Sequence, residues 1–283
     1  MNQRPSDETL HFSSQEYDEF CAFLQSSCGI DLGHNKQYLV ATRMRRIMAS
    51  LHLSHLAQLT ELIKKADQRQ LRQSVIDAMT TNETFWFRDN YPFEYFGAKL
   101  LPRMQSEKPS STLKVWSAAC SYGQEPYSLS MVIEEFNKRP GGRPLNVDIL
   151  ATDLSSAVLE HARTGIYDRI SITRGLSFER KKQFFEPIDE DNWRLNSSIK
   201  NRVQFRPLNL QDSFYLLGKF DVIFCRNVLI YFSQELKADI LRKLHGQLHT
   251  GGFLFLGSSE GLTGVAELFE MVDCAPGLAY KAI

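Results

Sequence analysis

From about residue 112 onward the chain alternates short strand-like apolar runs with helical ones, and this alternation constrains the fold more than any other feature. The runs 113–117, 147–152, 220–225 and 253–257 read as strands, with helical patterns between them. Strands joined through helices pair in parallel, and a parallel sheet needs cover on both faces. The pattern therefore predicts an α/β, Rossmann-like domain with helices on both sides of the sheet. Near the C-terminus, runs 269–273 and 278–281 flank a Pro276-Gly277 turn signal, which predicts an antiparallel closing pair. The connection 165–219 is unusually long and holds a helix near 177–185 and two β-like runs, 193–195 and 203–205. It reads as a small inserted β-subdomain at about 165–207.

Residues 13 to about 80 read as helices only. Ser13-Ser14-Gln15-Glu16 has capping-box spacing, with Phe20, Phe23 and Leu24 following at helical intervals. Leu39, Val40, Met44, Ile47, Met48 and Leu51 form one apolar stripe. A step of about 100° per residue puts Arg45 and Arg46 outside it and Arg43 near its edge. Two further helices are predicted at 56–64 and 71–79. The expected division is a flexible N-terminus at 1–12, a helical domain at 13–104, a linker at 105–112 and the α/β domain at 113–283.

With 283 residues, 43% hydrophobic and 23% charged, the chain can bury one large core and one small one. Its 33 basic residues balance 33 acidic ones, so no global field draws it to nucleic acid or to an anionic membrane. The five cysteines include no C-x-x-C pair, the polar start has no signal pattern, and no apolar run approaches the roughly 20 residues that span a bilayer. A reducing cytoplasm is expected, with any membrane partner reached from solution. His245 and His249 stand four apart in a predicted helix, but neither H-E-x-x-H nor a third ligand accompanies them. No metal is expected.

The first strand runs into Ala118-Ala119-Cys120-Ser121-Tyr122-Gly123-Gln124-Glu125-Pro126-Tyr127 and then a helix. Small residues there let a ligand approach backbone at a helix N-terminus. A strict G-x-G-x-x-G is absent, which disfavours a dinucleotide pyrophosphate. Asp153 follows the second strand, where a carboxylate can accept from both hydroxyls of a ribose. A helix cap after a buried strand would give the same layout, so this arrangement alone names no ligand.

The words themselves are more specific. Val115-Trp116-Ser117-Ala118-Ala119, Gly123-x-Glu125-Pro126-Tyr127-Ser128, Ala151-Thr152-Asp153 and the run from Phe220 through Cys225-Arg226-Asn227-Val228 to Ile230-Tyr231-Phe232 closely resemble the chemotaxis receptor methyltransferase (CheR) family. Thr80-Thr81-Asn82-Glu83-Thr84-Phe85-Trp86-Phe87-Arg88 resembles that family's other hallmark. The resemblance implies an all-α N-terminal domain before a class I S-adenosylmethionine-dependent methyltransferase domain with a small inserted β-subdomain. The implied activity is methyl transfer to glutamate side chains of chemoreceptors, with S-adenosylhomocysteine as product. Cofactor contacts are then expected at Asn82, Thr84, Arg88, Glu125, Asp153, Asn209, Leu210, Arg226 and Asn227. Glu125 would meet the methionyl ammonium and Asp153 the ribose. Arg226 and Tyr231 are expected beside the acceptor carboxylate, with Arg103 a looser match for a further substrate-facing arginine. Capping turns, surface ion pairs and plain core packing are the bland accounts of these same residues.

Residues 36–72 carry eight basic side chains against two acidic ones. A solvated helix face would account for them, but the family docks its second helix on the receptor's cytoplasmic domain. Arg43, Arg45 and Arg46 are the expected contacts. Some members also grip a receptor C-terminal peptide through a glycine-containing turn of the inserted subdomain. Here 186–193 is acidic and lacks glycine, so action without a peptide tether is expected. Two alternatives stand beside this reading: a cofactor-binding signalling adaptor without turnover, and methylation of another substrate such as nucleic acid. The balanced charge opposes the second, and the intact polar set opposes the first.

Overall fold

The computed structural model describes residues 12–108, 111–140 and 143–283. The described residues form two compact units, one of residues 12–81 with Tyr231–Ser233, the other within Asn82–Ile230 and Gln234–Ile283. The expected flexible tail, but for Phe12, lies outside the described residues.

The first unit is helical: α1 (Ser14–Cys28), α2 (Gln37–Ser50), α3 (Leu56–Lys64) and α4 (Arg69–Met79). The capping box forms as its spacing demands. Glu16 N–H donates to Ser13 Oγ (3.2 Å) and Ser13 N–H to Glu16 Oε2 (2.8 Å). The other Glu16 oxygen accepts from Ala57 N–H (3.3 Å), tying α1 to α3. These hydrogen bonds, Ser13 N–H first, hold the Glu16 carboxyl below its ordinary range against the opposing effect of burial. Gly29 ends α1 at φ 76°, the left-handed geometry of a C-cap. Helix α2 buries Val40, Ala41, Met44 and Met48 and leaves Arg45 and Arg46 exposed.

In the second unit, α5 (Tyr91–Tyr95), one wider turn (Phe96–Leu100) and α6 (Leu101–Glu107) lead into β1 (Leu113–Ala118). There follow α7 (Gln124–Asn137), β2 (Val147–Asp153), α8 (Ser156–Thr164), β3 (Ile166–Asp168), α9 (Arg169–Thr173), α10 (Phe178–Phe184), β4 (Phe185–Pro187), β5 (Asn192–Leu195), α11 (Ser197–Lys200) and β6 (Val203–Pro207). β7 (Phe220–Cys225), α12 (Gln234–Gly246), β8 (Leu248–Leu256), β9 (Phe269–Cys274) and β10 (Gly277–Ala282) complete it. The main sheet has the order β6-β2-β1-β7-β8-β10-β9, with β10 antiparallel to both of its neighbours and the other pairs parallel. β7 is buried at every position, as a central parallel strand must be. A three-stranded antiparallel sheet, β3-β5-β4, forms the insert.

Four expectations need correction. Residues 203–205 belong to the main sheet: β6 pairs with β2 from Ile149↔Val203 to Asp153↔Pro207, so the insert ends before Val203 rather than at 207. A short run of alternating burial looks alike in either sheet, and only the crossover decides its partner. The helical domain does not extend to 104, because Trp86, Phe93, Phe96, Leu100 and Leu101 lie in the core of the sheet unit. Helical periodicity says that a face is buried, not against which core. The supposed linker 105–112 begins as the end of α6, and Lys108 pairs with buried Asp221; Pro109 and Ser110 lie outside the described residues. Finally, α12 stops at Gly246 and His249 falls in β8, so the two histidines share no helix face.

Candidate active site

The site residues gather where β1, β2, β7 and β8 end. After β1 the chain turns through Ala119 (φ 56°), Ser121 (φ 51°) and Gly123 (φ 89°). A Cβ on Gly123 would stand 3.0 Å from Ala162 Cβ and 3.2 Å from Tyr167 Oη, so glycine is required by space as well as by φ. This loop is pinned from two sides. Ser121 N–H donates to Asp153 Oδ2 (2.8 Å), and Ser121 Oγ donates to the Asn82 carbonyl (2.8 Å). Asp153 Oδ1 accepts from Ser155 N–H (2.9 Å). The carboxylate expected at a solvent-reachable strand end is thus 7% exposed and organises two turns. Its backbone carbonyl accepts from Leu208 N–H (2.9 Å), which brings Asn209 and buried Leu210 to the same strand end.

The charged centre lies between β1 and β7. Arg226 is buried, and its guanidinium donates to Glu125 Oε2 (3.1 Å), Asp89 Oδ2 (2.6 Å) and the Arg88 carbonyl (2.9 Å). Glu125 Oε1 accepts from Ser117 Oγ (2.8 Å). Burial pushes the Glu125 carboxyl above its ordinary range, while Arg226, Ser117 and the nearby Arg88 charge hold it down. Arg88 itself is half-buried and donates to the Glu83 carbonyl (3.1 Å).

Glu260 was not singled out from the sequence, yet it fixes the loop after β7. Its two oxygens accept from Gly257 N–H (2.7 Å), Asn227 N–H (2.7 Å), Leu229 N–H (2.7 Å) and Ile230 N–H (3.3 Å). Asn227 sits at φ 60°, and a Cβ on Gly257 would lie 2.6 Å from its Nδ2. Asp89 and Ser121 were also missed. No local pattern marks these residues, since each acts on a partner more than 30 positions away. Beside this network opens a cleft of about 420 Å³ lined by Asp89, Tyr91, Leu256, Glu260, Leu278 and Tyr280 among others.

The structure thus brings together Asn82, Arg88, Glu125, Asp153, Asn209, Leu210, Arg226 and Asn227, with Thr84 half-buried in the segment between Asn82 and Arg88. Arg103 is not among them. It pairs with Glu107 (2.7 Å) and lies over the Phe253 ring, three residues short of the end of β8. Tyr231 packs in the helical unit, where its carbonyl accepts from Asp31 N–H (2.9 Å). In that unit Arg43 is spent internally on the carbonyls of Met79 (2.6 Å) and Thr80 (3.0 Å) and on Thr81 Oγ1 (3.0 Å).

Three buried polar atoms near the charged centre, Arg226 Nε, Asn227 Oδ1 and Gln124 Oε1, have no hydrogen-bond partner among the described residues. Together with a desolvated carboxylate and an acidic strand end, they form a donor and acceptor set that fits an amino-acid zwitterion joined to a ribose. Sheet order, crossovers and the placing of Asp153 at the end of β2 are those of class I S-adenosylmethionine-dependent methyltransferases, and the set fits that cofactor. Residues 82–278 match the family described as CheR methyltransferase, SAM binding domain, and residues 15–80 match CheR methyltransferase, all-alpha domain. The chain belongs to the CheR methyltransferase family. It is 48% identical over 268 residues to chemotaxis protein methyltransferase Cher2 of Pseudomonas putida, covering 94% of this chain and 98% of that one. It is 50% identical over 273 residues to chemotaxis protein methyltransferase 1 of Vibrio cholerae, with 96% and 98% covered. A more distant relative, the chemotaxis protein methyltransferase of Borreliella burgdorferi, is 29% identical over 267 residues, with 93% and 94% covered.

Proposed function

We propose that this protein transfers a methyl group from S-adenosylmethionine to glutamate side-chain carboxylates in the cytoplasmic domains of chemoreceptors, leaving methyl esters and S-adenosylhomocysteine. The observation that carries the reading is the Glu125–Arg226–Asp89 network, built on buried Arg226 beside an open cleft, in a chain of this family. The bound cofactor supplies a sulfonium methyl, an electrophile strong enough that a carboxylate acceptor needs alignment and desolvation rather than deprotonation. Glu125 supplies a fixed negative charge for an ammonium, Arg88 spare donors for a carboxylate, and Asp153 acceptor capacity toward a ribose. Asn82, Thr84, Asn209, Leu210 and Asn227 wall the same place. Arg226, held by three acceptors, fixes the Glu125 and Asp89 carboxylates, and Asp89 lines the cleft where the acceptor is received.

No helix among the described residues is long and apolar enough to cross a membrane. The enzyme meets its receptor from the cytoplasm, and exposed Arg45 and Arg46 dock it on an acidic surface without a peptide tether. Incubation with labelled S-adenosylmethionine and receptor-bearing membranes tests this: the label should enter receptor protein and leave as methanol in alkali. Alkali-stable label would contradict it.

A further inference from the structure

Residues 82–90 have no regular secondary structure, and three of them, Phe87 (φ 51°), Asp89 (φ 67°) and Asn90 (φ 50°), sit in the left-handed region. For residues with side chains this is costly and persists only where the surroundings over-determine it. Most of the anchors that do so come from the insert. Trp86 is fully buried, edge-on to Tyr167 of β3 (4.8 Å) and Phe185 of β4 (5.3 Å). Its indole N–H donates to the Ser171 carbonyl (3.0 Å) and its backbone N–H to the Arg174 carbonyl (3.2 Å). Gly175, at φ 84°, lies so close that an added Cβ would stand 2.1 Å from the Trp86 carbonyl oxygen. Arg174 pairs with Glu83 and covers the Phe85 ring (4.7 Å). Arg180 covers the Phe87 ring (3.8 Å) while forking onto Glu135 of α7 (2.8 and 3.0 Å).

We infer that the inserted β-subdomain is a positioning element of the cofactor site: its turn 171–175 holds segment 82–90 in the strained path that presents Asn82, Thr84 and Arg88, and Arg174 is a positioning residue acting through Glu83 and Phe85. The inference rests on the assignment of those three residues to the cofactor. Linkage makes the coupling reciprocal. If the turn raises affinity for the cofactor, the cofactor must tighten the turn by the same factor. Any ligand of the insert would then be felt at the cofactor site.

The test uses the full chain and S-adenosylhomocysteine. Arg174→Ala removes an exposed side chain and leaves the core intact; titration calorimetry should show affinity lowered about three- to fivefold, the range of a partly exposed ion pair, with unchanged melting. The exchanged pair Glu83→Arg with Arg174→Glu should recover part of the loss, which a change in bulk stability would not do. Gly175→Ala should cost more than tenfold, about 1.4 kcal/mol or above. Without ligand, the Trp86 backbone amide should exchange faster in Arg174→Ala, and in wild type S-adenosylhomocysteine should slow exchange across 171–175. Wild-type affinity in both single variants, or ligand binding that leaves that exchange unchanged, overturns the inference. Asn82→Ala and Asp153→Ala separate its failure from that of the site: if they too bind normally, the site assignment is wrong and the inference falls with it.

Discussion

Replacing Glu260 with glutamine tests how the loop after β7 is held. The carboxylate accepts four backbone N–H groups, two on each oxygen. Glutamine keeps one acceptor and turns an amide N–H₂ toward the other two donors. Two charge-assisted bonds at roughly 1.5–3 kcal/mol each are lost, an upper figure of about 3–6 kcal/mol. Glu260 is half-buried, so water recovers part of this, and about 2–4 kcal/mol remains. For a unit of this size each kcal/mol moves the melting point by about 2–4 °C, so a fall of roughly 4–16 °C is expected by calorimetry. Whichever oxygen becomes the amide, the loop that follows Arg226 loses at least one of its anchors at Asn227, Leu229 and Ile230, so affinity for S-adenosylhomocysteine should fall in the folded variant as well. A variant that melts within a degree of wild type and binds normally would refute the reasoning.

Arg226→Met should destabilise by about 3–5 kcal/mol, since it strands the desolvated Glu125 carboxylate, and pairing it with Glu125→Leu should recover much of the loss in a denaturant titration. Glu134 is desolvated, which alone would raise its carboxyl, but Arg202 (2.9 Å) and Lys138 (3.4 Å) bring it below the ordinary 4.5. With the folded value below the unfolded one, its contribution is present above about pH 5 and lost as pH falls through the folded value; the stability gap between wild type and Glu134→Gln should shrink below that pH. Arg45→Glu with Arg46→Glu should leave the helical unit folded and weaken receptor binding, more so at low salt, where screening is least. Unchanged methylation rates would make that face a solvated one only.

Much of this was legible from the residues alone. Strand 220–225 has the bounds expected from its strand-like run, interrupted only by Asp221, and Ser13 and Glu16 cap α1 as their spacing requires. Strand β8 was expected to begin at 253 but starts at Leu248, because Gly251-Gly252 is an irregularity inside a strand and not a loop. A glycine pair reads as a turn, and only the partner strand shows that it bulges. The family words single out Glu125, Arg226 and Asp153 as candidates; residues that act through fold geometry carry no such mark. Glu260 reaches residues 30 to 33 positions earlier, and Trp86 reaches Ser171 across 85, distances over which no spacing rule operates. Arg43 shows the opposite failure: a basic side chain at the edge of an apolar stripe looks like surface, whereas its guanidinium closes the C-terminus of α4.

The central claim is that the acceptor is a glutamate carboxylate, and peptide mapping of receptor methylated by this protein tests it most directly. Mass spectrometry of the proteolysed receptor should place the transferred methyl on glutamate side chains as base-labile esters, absent when Glu125→Ala enzyme is used. Methyl groups found on lysine or arginine nitrogen, or glutamates left unmodified while wild-type enzyme binds S-adenosylhomocysteine, would contradict it.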